Sequence, residues 1–495
     1  MKKPTSHCQP WPLRAGVLCL LGCAATAAAV ARPLETSDKS GVKPETVLYK
    51  DSDLPIEIRI DDLLRRMTID EKVMQLNQYT LGLNNNANNI GEEVKEIPAE
   101  LGSLIYFNAD PALRNAVQRR AMEESRLGIP MLFGFDVIHG FRTVYPISLA
   151  QACSWNPSLV GKACAVAAQE ARQSGVDWTF SPMIDVARDP RWGRVAEGYG
   201  EDPYVNGVFG VASVRGYQGR NLADSTSVAA CLKHYVAYGA SEAGRDYVYT
   251  EVSPQTLWDT YLLPYEMCVK AGAQTLMSSF NDISGTPSSA NHYTLTEILK
   301  ERWGHDGFVV SDWGAIEQLI NQGHAADKKD AARRAFNAGL EMDMISHAYD
   351  RHLADLVAEG KVSQEALDEA VRRVLRVKMR LGLFEKPYTP DVPDRFLHPV
   401  SLDIAGQLAA ESMVLLKNDS TLTLPIKDVK KIAVIGPLAK DKRDLLGSWL
   451  GHGHPEDVVT WYEGISNEFG DRAEIRYAQA VSYTHLRAHE TLMNL

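Results

Sequence analysis

Gly307-Phe308-Val309-Val310-Ser311-Asp312-Trp313-Gly314 reads as a buried strand that delivers a carboxylate, followed at once by an indole and a glycine. The apolar run is short and unbroken, as a strand covered on both faces requires. A carboxylate at a strand end is held rigidly, which suits a nucleophile. Taken alone, an Asp capping a following helix over Ala315–Asn321 accounts for the same residues equally well. The context decides between the two.

Working outward, residues 54–383 alternate short apolar runs with helical patterns. Strands are predicted at Leu101–Phe107, Ile129–Asp136, Val176–Asp185, Val228–His234, Gln274–Asn281, Gly307–Asp312 and Leu340–Ile345. Helix-like stretches such as Pro111–Arg126, Ser158–Ser174, Ser253–Ala271 and Thr294–Arg302 separate them, and strands spaced by helices imply parallel βαβ units. Seven or eight units predict an α/β fold, a (β/α)8 TIM-type barrel over 54–385; a doubly wound open sheet is the alternative. The predicted strands end in Asp136, Asp185, Lys233-His234, Asn281, Asp312 and Asp343. One polar strand end is ordinarily a turn or cap, but six in one domain favour convergence on the mouth of a barrel. Asp312 is then part of a site.

Beyond the amphipathic helix Gln364–Arg380, Phe384–Pro399 holds four prolines, and residues 386–400 read as a linker. A helix over Leu402–Leu416 and a strand over Lys431–Ile435, closing in Gly436-Pro437, predict the start of an α/β sandwich domain over 401–480. That domain is expected to be incomplete, and residues 481–495 to be a foreign tail resembling a translated sequencing adapter. At the other end Lys2, Lys3 and Arg14 precede the apolar run Ala15–Val30 and the small-x-small Ala29-Val30-Ala31, the pattern of a cleaved signal peptide over 1–31, followed by an extension over 32–53. Leu20-Leu21-Gly22-Cys23 also resembles a lipobox, so a lipid anchor at Cys23 is the competing outcome and the one route to a membrane. The chain is thus expected to be exported to the periplasm.

The formal charge of -11 falls to -14 without the leader's three basic side chains, and no basic stripe breaks it. Such a surface repels nucleic acid and anionic membranes, and a neutral substrate fits better. Past the leader, Cys153, Cys164, Cys231 and Cys268 form no CxxC pair, so neither a zinc site nor a disulfide framework is expected.

Three further segments carry chemistry. Lys233-His234 offers donors to vicinal hydroxyls, although neighbours on a regular strand point to opposite faces. Ser181–Arg194 has the Arg, Asp, Pro and Gly density of a loop ordered by Arg–carboxylate bonds, and Asp136, within Phe133–Arg142, can accept two hydroxyl hydrogen bonds. These segments, in this order and together with Arg188–Pro203, Lys233–Gly239, Ser278–Asn291, Gly307–Ile320 and Gly382–Tyr388, resemble the N-terminal barrel of glycoside hydrolase family 3, over about residues 54–480.

The resemblance implies a retaining exo-acting β-glucosidase with Asp312 as nucleophile, acting on terminal glucosyl residues of oligosaccharides and needing no metal or organic cofactor. It implies that Asp136, Arg142, Arg194, Lys233 and His234 hold the non-reducing glycosyl unit. Met277, Phe280 and Trp313 would line the pocket, Phe280 standing where relatives commonly have tyrosine. The acid/base of the family commonly comes from a loop outside the barrel; Glu317 is the nearby candidate, against its reading as a solvated helix carboxylate. The N-acetylhexosaminidase branch is disfavoured, because its Asp–His pair after Lys-His is absent. A β-xylosidase-type specificity and a sugar-binding barrel with little hydrolytic activity are the alternatives.

Overall fold

The computed structural model describes residues 46–83, 90–419 and 428–479; the expected leader, Cys23 and the tail lie outside the described residues. Eight parallel strands make the barrel wall: β1 (Asn77–Leu81), β2 (Ser103–Tyr106), β3 (Leu132–Phe135), β4 (Trp178–Thr179), β5 (Ala229–Tyr235), β6 (Thr275–Ser278), β7 (Phe308–Val310) and β8 (Asp343–Met344). Each pairs with the next through β7, and β8 returns to β1 through Asn77↔Asp343 and Gln78↔Met344. The remaining seam is joined by the bridge Val310↔Met342 and by Ser311 N donating to Met342 O at 2.8 Å. The strand order runs round without reversal, so the open-sheet alternative is excluded.

Two strands differ from their sequence reading. β1 has no apolar run; its buried amide groups bond within the fold instead, Asn77 Nδ2 donating to Val73 O and Gln78 Nε2 to Ser103 Oγ, both at 2.8 Å. The stretch Val176–Asp185 forms a ladder only at Trp178–Thr179, with one later bridge, Met183↔Lys233. The buried Trp178 packs edge-on against Phe180 and Phe308, with centroids 4.9 and 5.1 Å apart, and donates from its indole N–H to Thr275 Oγ1.

The helices between the strands start from a repeated local signal. Asp110-Pro111, Asn156-Pro157 and Asp202-Pro203 each place a capping side chain before a proline, and each cap accepts a first-turn N–H. Proline is tolerated there because its missing N–H would have no intrahelical partner.

Near the start of β4, Asp177 is shared by Arg172 Nη1 at 2.5 Å and Arg114 Nη2 at 3.1 Å, with Asp177 and Arg114 almost fully buried. Removing the carboxylate leaves two guanidinium groups uncompensated. Asp177→Ala is therefore expected to lower unfolding stability by about 3–5 kcal/mol in a urea titration. A loss below about 1 kcal/mol would mean the arginines find other partners.

Beyond the barrel, the predicted helix runs over Pro399–Glu411 rather than Leu402–Leu416, entered through a proline at its first turn. Strands β9 (Lys431–Ile435) and β10 (Glu474–Ala478) pair in parallel, linked by helix Trp461–Phe469, whose capping box joins Thr460 and Glu463. These elements form one βαβ unit of a second domain. Among the described residues no helix is long and apolar enough to cross a membrane.

Candidate active site

Asp312 does not cap the helix that follows it. The helix Ala315–Asn321 is entered through Gly314 at φ 66° with no side-chain cap. Asp312 Oδ1 instead accepts the N–H of Trp313 at 2.7 Å, and Oδ2, although buried, makes no hydrogen bond among the described residues. Burial raises the Asp312 pKa to about 6, against the pull of Arg194, the Trp313 N–H and Lys233; Asp136 adds to the rise. The result is a rigid carboxylate with one free oxygen.

Lys233 and His234 both reach this centre. The register of β5 against β6 shifts between Leu232 and Tyr235. The alternation of faces that a regular strand imposes is therefore suspended here. Lys233 Nζ donates to Asp136 Oδ1 at 2.7 Å, while His234 Nε2 lies 3.6 Å from Asp312 Oδ2.

His234 is wired at both ring nitrogens. Nδ1 lies 2.8 Å from Asp185 Oδ2, which also accepts the His234 backbone N–H at 2.9 Å. Nε2 lies 3.0 Å from Arg194 Nη2. Arginine can only donate, so Nε2 accepts and the proton sits on Nδ1. Burial, reinforced by the charges of Arg194 and Lys233, holds the ring well below its ordinary pKa, in keeping with this neutral tautomer. Burial lifts Asp185 to about 7 although the His234 backbone and Tyr265 donate to it.

Arg194 is gripped from its other side by Glu197 at 2.7 and 2.9 Å. Burial disfavours the Glu197 charge, but the Arg194 bonds and the Lys233 field keep its pKa below the ordinary value. The resemblance implies a direct contact of His234 with sugar; in the fold both its ring nitrogens already have protein partners, Asp185 and Arg194.

The other expected residues divide. Met277 and Phe280 are buried, Phe280 within a cluster that includes Trp192, Tyr238 and Ala315, and Trp313 is exposed next to Asp312. The Arg142 guanidinium pairs with Asp457 at 2.7 Å, so it is engaged by the second domain's segment. Two strand ends turn inward to structure rather than to the site. Asn281 bonds Thr250 Oγ1, and Asp343 accepts the N–H groups of Ser346, Ala348 and Tyr349. Glu317 is half exposed and pairs with Lys328 at 3.1 Å, the solvated helix carboxylate of the alternative reading.

Sequence reasoning missed what arrives from residues 446–457. The Lys233 ammonium stands 5.2 Å from the Trp449 ring centroid, and His139 Nε2 lies 2.6 Å from Ser448 O. Gly451, at φ 60°, lies so close to the barrel that a Cβ would meet Phe141 O at 2.7 Å, so glycine is required there. A tryptophan amid Gly447, Gly451 and Gly453 was the available signal.

A parallel barrel with charged residues gathered at the C-terminal ends of its strands defines an enzyme-type scaffold with one mouth. The model of the glycosyl hydrolase family 3 N-terminal domain matches residues 68–377, and that of the family's C-terminal domain matches 413–486. The chain belongs to glycosyl hydrolase family 3. It is 40% identical over 444 residues to a periplasmic beta-glucosidase of Salmonella typhimurium, covering 88% of this chain and 57% of that protein. A putative beta-xylosidase of Formosa agariphila is 35% identical, covering 79% and 55%. A beta-glucosidase from Listeria innocua, solved in complex with glucose, superposes with a TM-score of 0.81 at 37% identity, covering 89% of this chain and 63% of that one. The chain thus spans about half the length of the curated relatives it matches.

Proposed function

We propose that this protein is a retaining exo-acting β-glucosidase, with Asp312 as the nucleophile and an oligosaccharide or other glycoside as substrate. The observation that carries the reading is the buried, hydrogen-bond-free Oδ2 of Asp312, beside the linked charges of Arg194, Lys233 and Asp136. In the first step Oδ2 attacks the anomeric carbon, the bond to the leaving group breaks, and a glycosyl-enzyme forms; water then releases the sugar. Lys233 and Asp136 present a donor–acceptor pair to vicinal hydroxyls. Arg194, held by Glu197 and His234, favours the ionised form of Asp312.

A dinitrophenyl 2-deoxy-2-fluoro-β-glucoside tests this directly, since its leaving group departs without protonation. The expected result is a stoichiometric adduct on Asp312 by peptide mass spectrometry. An unlabelled protein, or an adduct elsewhere, overturns the assignment. The labelling rate should fall on the acid side with a midpoint near pH 6, because burial raises the Asp312 pKa to about 6 and only the carboxylate attacks. A rate unchanged down to pH 4 would contradict that environment.

Relatives named as beta-xylosidases favour a second specificity, and the corresponding xyloside compared on the same protein decides between them. The leader reading, together with the name of the Salmonella relative, supports export to the periplasm.

A further inference from the structure

Three large exposed aromatic side chains stand at the edge of the buried site. Trp313, 39% exposed, adjoins Asp312, and Trp449, 44% exposed, lies over Lys233. The third, Tyr247, is 59% exposed and lies outside the network around Asp312. Its ring meets Phe280 at 4.8 Å between centroids with an interplanar angle of 61°. Its phenol is raised above its ordinary pKa by burial and by the Asp246 and Asp312 charges, with Arg194 opposing, so it lies within the electrostatic reach of the reacting carboxylate.

The backbone makes this placement notable. Tyr247 has φ 60°, a conformation that bulky L-residues rarely adopt. It is imposed by a loop tied at both ends: Glu242 N donates to Tyr249 O at 3.2 Å and Thr250 N to Asp282 O at 3.0 Å. Beside it, the Trp192 indole lies 3.4 Å from Asp246 Oδ1. A strained residue that exposes its ring instead of burying it is not serving the core, and strain of this kind collects where a side chain must be aimed.

We infer that Tyr247 forms a wall of the subsite for the leaving group, stacking on the part of the substrate that projects beyond Asp312. The groups suited to meeting the glycosyl unit, Lys233 and Asp312, are both less than a tenth exposed. A ring this exposed on Phe280 stands at the outer level, where an aglycone or a second sugar lies. This rests on the proposed function.

The test compares two reagents with the same glycosyl part, a dinitrophenyl 2-deoxy-2-fluoro-β-glucoside and 2-deoxy-2-fluoro-β-glucosyl fluoride. In both, Oδ2 bonds to the anomeric carbon; the departing pair leaves with dinitrophenolate in one and with fluoride in the other. Tyr247→Gly and Tyr247→Leu are expected to lower the second-order labelling rate of the aryl reagent about fivefold, the worth of one aromatic contact, and to leave that of the fluoride unchanged. Glycine accepts φ 60° freely, so the melting temperature of Tyr247→Gly should hold or rise. Equal losses with both reagents, no loss with either, or a fall in melting temperature together with equal losses would overturn the inference. If the parent protein is labelled by neither reagent, it is the glucosidase reading that fails, and the subsite falls with it.

Discussion

Asp312→Gly is expected to turn over an activated aryl β-glucoside about 10⁴-fold more slowly than the parent and to form no covalent adduct. Removing the carboxylate takes away the group that would bond to the anomeric carbon. It also removes a buried charge that Arg194 and Lys233 act upon. The vacated space admits a small anion, so azide should restore turnover and yield the α-glucosyl azide, since a single displacement inverts the centre. A β-azide, or azide-independent activity near the parent level, would show that Asp312 is not the nucleophile. The buried neighbours Val309, Val310 and Ile316 stay in place, so folding is not expected to suffer, and a circular dichroism melt checks this.

The second large effect is expected at Lys233. Lys233→Met keeps most of the stem's volume but leaves Asp136 without its 2.7 Å partner. Loss of a charged hydrogen bond to substrate should reduce kcat/KM about 100-fold. The direction of the pH change is the sharper readout. Lys233 lowers the Asp312 pKa and Asp136 raises it. Without the lysine the carboxylate is less favoured, so the acid limb should move to higher pH. Asp136→Asn should move it to lower pH. Shifts in the same direction for both variants would mean that the two do not act on Asp312 through charge.

Much of the fold was legible because parallel strands buried on both faces are written as apolar runs, and their helices begin at local caps such as Asp202-Pro203. β1 was illegible because Asn77 and Gln78 are buried with partners that only the folded chain supplies. The same limit applied to the polar strand ends. Asn281 and Asp343 look like Asp136 and Asp312 in sequence, but Asn281 is tied to the distant Thr250 side chain and Asp343 closes the backbone turn that follows it.

By itself the sequence determined the alternation of strands and helices, the family resemblance and the strand end that carries Asp312, because periodicity, caps and motif order are local properties of the chain; ring closure over an open sheet came from the strand order. The tertiary structure alone decided that Asp312 keeps one oxygen free, that Lys233 and His234 face one centre, and that His234 is spent on Asp185 and Arg194. It also brought Trp449 over Lys233 and Asp457 onto Arg142. These are contacts between residues far apart in the chain, set by closure of the barrel and by docking of a later segment on its mouth, and no local pattern encodes them.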